Sequence, residues 1–169
     1  MEELLDTYDI NKNFLGTQTR SFCHSENPGC YHKAVYIWIK NKNNEILVQQ
    51  KSLLKKHSPG KWDMPIAGHI SAGENEIATC IREAKEELGL TTTAKDFKFV
   101  GEYFYKKGWQ FSEIYLLKRD IDVTKLNLQA EEVACVKWFN YNDFIKLLFS
   151  DDFANHELDY RKLVAKLLK

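Results

Sequence analysis

The sequence predicts one mixed α/β domain. Three features carry this: β-prone runs on both sides of a single long helical pattern, two amphipathic patterns at the end, and a size that encloses one core. With 169 residues, 44% of them apolar and 13% aromatic, the chain is too small for two ordinary cores. No internal repeat or low-complexity linker divides it, so residues 1–169 are assigned to one domain.

Leu4 to Tyr8 and Phe14 to Thr19, joined by Asn11-Lys12-Asn13, read as an amino-terminal hairpin at the edge of the main sheet. Such an edge could pair across a homodimer. Ala34 to Ile39 and Ile46 to Gln50 form a second hairpin around Asn41-Lys42-Asn43-Asn44. A basic loop follows, in which Lys51, Lys55, Lys56, His57 and Lys61 either meet phosphates or are simply solvated. From Asn75 to Leu88, Ile77, Ile81, Ala84 and Leu88 recur at helical spacing, and Gly89 stands where a left-handed cap is wanted. Phe97 to Tyr105, Phe111 to Leu117 and Val133 to Phe139 read as strands that continue the sheet. Asp143 to Phe149 and Leu158 to Leu168 read as closing helices.

The 24 basic and 24 acidic side chains cancel, which disfavours nucleic acid and anionic membranes as partners. No run approaches a membrane span, and the first residues lack a basic stretch followed by an apolar one, so a cytoplasmic protein is expected. Cys23, Cys30, Cys80 and Cys135 lack a paired spacing and are expected as reduced thiols, with Cys80 and Cys135 as small buried hydrophobes.

Chemistry concentrates on the helix from Asn75. Glu83 with Glu86 and with Glu87, at spacings of three and four, share one face, predicted to lie opposite the apolar stripe. Like charges so placed repel by roughly 0.2–0.5 kcal/mol per pair, and a hard dication would relieve them while leaving positions open for phosphates. Immediately upstream stands Gly68-His69-Ile70-Ser71-Ala72-Gly73-Glu74, a glycine-bracketed loop.

Gly68, Glu74, Arg82-Glu83, Glu86-Glu87 and Gly89-Leu90 stand at the offsets of the Nudix box, residues 68–90 here. The chain thus resembles the Nudix hydrolases. That resemblance implies a mixed sheet sandwiched between helices (α/β/α) and Mg²⁺ or Mn²⁺ held by Glu83, Glu86, Glu87 and the Gly68 backbone. It implies an Arg82–Glu74 pair, and a reaction in which water attacks phosphorus in a small diphosphate substrate, such as a nucleoside di- or triphosphate. Glu83 and Glu86, with Arg82 beside them, are the candidate catalytic residues, the proton being shared by the cluster. Glu132, or else Glu113, stands where the family often supplies a further carboxylate.

A narrower resemblance, to the isopentenyl-diphosphate isomerase branch, runs through Leu4-Leu5-Asp6, His32-Lys33-Ala34-Val35, Pro59-Gly60-Lys61-Trp62-Asp63 and Ala67-Gly68-His69. It implies a second metal site from His24, His32, His69 and Glu113. The branch's cysteine is replaced by Ala67, and Phe111 stands at the position similar to its second glutamate, so hydrolysis is expected over isomerisation. Two other readings stay open: the isomerase itself and a non-catalytic nucleotide-binding module. Trp62, Tyr103, Tyr105, Trp109 and Phe111 are read as either a stacking surface for a base or core.

Overall fold

A computed structural model describes residues 2–169. The alternating apolar residues of the central strand β3 (His32–Lys40) explain the architecture, because they face two different cores. Val35, Ile37 and Ile39 pack with Cys80, Ala84 and Leu88 of α2 (Glu76–Leu88). Trp38, on the other face, packs with Phe144 and Leu148 of α3 (Tyr141–Leu148) and with Tyr160 and Val164 of α4 (Leu158–Leu167). The sheet therefore lies between helices, as predicted.

The amino-terminal hairpin, β1 (Leu4–Tyr8) and β2 (Phe14–Thr19), forms its own two-stranded sheet. It does not edge the main sheet as expected. It meets the body through isolated bridges, Leu5 with Ser71 and Tyr8 with Tyr31, and through side-chain contacts such as the Lys12–Glu102 ion pair and Asp6 on the Gly73 N–H. The one-turn helix α1 (Arg20–Cys23) follows it.

The main sheet contains β4 (Ile46–Lys51), β5 (Trp62–Asp63), β6 (Ile66–His69), β7 (Phe97–Tyr105), β8 (Gln110–Lys118) and β9 (Val133–Phe139) in addition to β3. β8 runs parallel to β3 along its whole length, and β7 pairs antiparallel with β8. The other edge of β3 is divided. Ala34 to Ile37 pair with β6, and only Ile39 and Lys40 pair with β4. The predicted β3–β4 hairpin thus separates almost at once, β4 turning to pair with β9 and β5. A fork is left between β4 and β6.

The closing helices match their predicted spans to within two residues, and Asn140 caps the first through Oδ1 to the Asp143 N–H at 3.0 Å. All four cysteines are free thiols, and Cys80 is fully buried, whereas Cys135 is only half-buried. At the base of the fork, buried Asp63 accepts from the Met64 N–H at 2.8 Å and meets His156 Nε2 at 2.7 Å and Lys51 Nζ at 3.4 Å. Burial alone would raise its carboxyl, but His156, Lys51 and the Met64 N–H together hold it below the ordinary carboxylate value. A depressed carboxyl stabilises the fold above its unfolded value near 4, and the contribution is lost as pH falls through the folded value. Asp63→Asn is expected to cost about 3 kcal/mol at pH 7. In thermal melts, its deficit against wild type should shrink steadily below pH 4.

Candidate active site and metal centre

The fork is where α2 delivers its carboxylates. Asn75 caps the helix start through Oδ1 to the Ala78 N–H at 2.9 Å, and Gly89 closes it in the left-handed conformation at φ 68°. The helix phase then fixes which glutamates face the sheet. Glu83 and Glu87 are buried, 9% and 6% exposed, while Glu86 points to solvent. The three do not form a solvated face opposite the apolar stripe; two of them flank the stripe and press on β6.

Glu87 spans the fork. Its Oε1 accepts from the Ala67 N–H on β6 at 3.4 Å, and its Oε2 from Gln49 Nε2 on β4 at 3.5 Å. Burial, and then the charge of Glu83, push its carboxyl up to about 8. Burial likewise raises Glu83 to about 7, against the pull of Arg82. Both are carboxylates short of positive charge.

Arg82 is the cation that the protein itself provides. Its guanidinium reaches Glu74 through Nε at 3.2 Å and Nη2 at 3.0 Å, Glu83 through Nη1 at 2.6 Å and Glu86 at 3.2 Å. Nη2 also donates to the His69 carbonyl at 3.1 Å, tying the end of β6 to the helix. Burial would raise Glu74, but Arg82 and Thr79 hold it below the ordinary value. The Arg82–Glu74 pair implied by the sequence is therefore formed. Glu132 lies across the fork, ion-paired with Lys55, and its charge contributes to the rise of Glu87. The basic loop is thus anchored near the glutamates, with Lys51 on Asp63 and Lys61 on Asn155 Oδ1 at 3.1 Å.

The three histidines converge on the opposite face of β6. His32 begins β3, and His69 pairs with Ala34 two residues along, so both project to one side. His24, just after α1, completes the group: its Nε2 is 3.0 Å from that of His69, and one ring nitrogen from each residue lies within 4.8 Å of the others. Burial lowers all three, His32 to about 4 and His69 well below its ordinary value, which keeps the imidazoles neutral. His32 Nδ1 is buried without a protein partner.

Glu113 is not with them. The β3–β8 register sets it opposite Val35, on the α2 face, where it accepts from Tyr115 at 2.8 Å. The residues of β8 that share the histidine face are Gln110 and Ser112, and Gln110 Oε1 sits 3.2 Å from His32 Nε2. Sequence reasoning missed both, because a one-residue register difference exchanges the faces of a strand. Phe111 is buried and stacks on Phe104 at 5.0 Å, while Trp109 packs on Tyr31 at 5.2 Å. Tyr103 packs on Tyr160 at 5.1 Å and Trp62 on Phe139 at 5.5 Å, and Trp62, Tyr103, Tyr105 and Trp109 are half-buried where Phe111 is core.

Gly68 makes the close approach of Glu83 to β6 feasible. A Cβ there would fall inside the Glu83 side chain, in conflict with Oε1, Cδ and Cγ. Gly68→Ala is expected to expel the Glu83 carboxylate from its place under Arg82 while leaving the β3–β6 pairing intact. A crystal structure of the variant, with a divalent-cation titration at least 10-fold weaker than wild type, would bear this out.

Residues 31–166 match the NUDIX domain family. Nudix hydrolase 3 of Arabidopsis thaliana is 34% identical over 150 residues, which cover 82% of this chain and only 19% of that much longer protein. An isopentenyl-diphosphate Delta-isomerase of Serratia proteamaculans is 33% identical over 91 residues, 54% of this chain and 50% of that one. A Deinococcus radiodurans protein of known crystal structure shares the fold at a TM-score of 0.80, with 19% identity, 99% of this chain and 100% of that one covered. The intact box, the forked sheet and these matches agree: the chain belongs to the Nudix family of pyrophosphohydrolases, with a partial likeness to the isomerase branch.

Proposed function

We propose that residues 1–169 act as one domain that hydrolyses a diphosphate linkage in a small molecule of the nucleoside di- or triphosphate type, using Mg²⁺ or Mn²⁺. The observation that carries this reading is the pair of buried, charge-starved carboxylates, Glu83 and Glu87, facing the fork beside the exposed Glu86. Their donor set fits a hard dication, carboxylate oxygens from three residues of one helix, and the buried Gln49 Oε1 beside Glu87 has no protein partner. Glu83, Glu86 and Glu87 would hold the ion; the Gly68 carbonyl, expected among the ligands, is turned toward Val35 of β3 by the β3–β6 register. Bound there, it would neutralise phosphate charge and lower the pKa of a coordinated water.

The remaining work belongs to the chain. Arg82 holds Glu83 and Glu86 in one orientation, and that pair takes the proton of the attacking water as a coupled unit. Glu132, held by Lys55, brings a further carboxylate to the rim. The Lys51–Lys61 loop sets cations beside the path of an anionic substrate. Isomerisation fits less well: Ala67 carries no proton, and Gln110 and Ser112 occupy the histidine face of β8 where a carboxylate would be needed. The Glu86→Gln, Glu87→Gln double variant is expected to lose more than 100-fold in phosphate or monophosphate release across a panel of nucleoside phosphates and dinucleotides, and EDTA should abolish turnover. Unchanged turnover in either case would sink the reading.

A second divalent ion belongs at His24, His32 and His69, favoured by their converging ring nitrogens and the unpartnered His32 Nδ1. Zn²⁺ or Mn²⁺ stoichiometry measured by equilibrium dialysis is expected to fall from two to one per chain in His24→Ala and in His69→Ala. Identical stoichiometry in wild type and both variants would remove this site.

A further inference from the structure

Gln49 is an uncharged polar side chain that reaches Glu87 from β4. It is 7% exposed, flanked by Asp63 on β5 and Val136 on β9 in the sheet register. Its two amide atoms have different fates. Nε2 donates to Glu87 Oε2 at 3.5 Å, whereas Oε1 is buried with no hydrogen-bond partner in the protein. A buried carboxamide oxygen left in that condition is costly and rare.

The donors on either side of the fork each point to another partner. Lys51 Nζ goes to Asp63, Lys55 Nζ to Glu132, and the Ala67 N–H to the other oxygen of Glu87. No protein donor reaches Oε1 in the structure. The donor must come from outside the chain, at a point adjacent to Glu87. A water coordinated to a divalent ion is a strong O–H donor, and an ion held by Glu87 would bring one beside the Gln49 amide.

We propose that Gln49 is a positioning residue of the glutamate site. Its Nε2 fixes the Glu87 carboxylate across the fork, and its Oε1 accepts a hydrogen bond from a water of the ion that Glu87 holds. This rests on the metal reading given above. The amide would thus do for a carboxylate ligand what outer hydrogen-bond partners do at metal sites generally, which is to hold its orientation and tune its basicity.

The test is Mn²⁺ binding by the free-ion electron paramagnetic resonance signal, in a His24→Ala background so that only the glutamate site is read. Gln49→Met conserves volume and removes both amide functions, and it is expected to bind Mn²⁺ about 10- to 100-fold more weakly while melting no lower than the background without metal. Gln49→Glu keeps the acceptor and adds charge beside Glu87. It is expected to melt lower without metal and to regain the difference with Mn²⁺, binding at least as tightly as the background. If the Met variant binds as the background does, or the Glu variant binds more weakly, the proposal is overturned and the hydrolase reading stands. If the background itself binds no Mn²⁺, both fall. The Glu variant alone decides the matter should the Met variant fail to fold.

Discussion

The structure depends on the divided edge of β3. Because β6 takes Ala34 to Ile37 and β4 takes only Ile39 and Lys40, β4 and β6 diverge. Any sheet that opens in this way exposes backbone and side chains that would otherwise be paired. Here α2 closes the opening with Glu87, whose two oxygens take one donor from each arm of the fork. An apolar side chain at that position would leave the Ala67 N–H and the Gln49 amide without acceptors. A carboxylate satisfies them but brings a buried charge, and Glu83 four residues away brings another. Arg82 offsets part of that charge, with a reach that lies toward Glu83, Glu86 and Glu74 and not toward Glu87. The uncompensated remainder would suit the fork to a cation, and through it to phosphates.

β6 is the common wall of two polar centres. Its alternation sends Gly68 toward Glu83 and His69 toward His24 and His32, and the Arg82 guanidinium reaches across to the His69 carbonyl. The glutamate centre is acidic and hard, the histidine centre neutral and softer, and they would sort different ions. The loss of the cysteine position to Ala67 affects the histidine side only. The box on the other side keeps every carboxylate.

Much of this was legible in the residues. The helix read from Asn75 to Leu88 matches the structure to one residue, with its end marked by Gly89, since such spacing and capping are local. The strand and closing-helix runs were found from their apolar spacing. The box grouped Gly68, Glu74, Arg82, Glu83, Glu86 and Glu87, and the fold brings them together. Long-range relations were the illegible part. Whether the first hairpin joins the main sheet depends on which edges are free, and β6, too short to announce itself, occupies the place beside β3. Glu113 was grouped with the histidines because spacing along one strand carries no record of register against another; the parallel β3–β8 ladder turns it to the α2 face. The burial of Glu83 and Glu87 was hidden for the same reason: a helical wheel shows which residues share a face, and the depth of the opposing sheet decides which are covered.

The central claim is that water attacks phosphorus at the glutamate fork. Turnover in ¹⁸O-labelled water with Mg²⁺, followed by mass spectrometry of the products, tests it most directly. The account predicts one label in a phosphate-containing product and an intact carbon–oxygen bond in the organic arm. Label at carbon, or a rearranged product carrying no label, would contradict it.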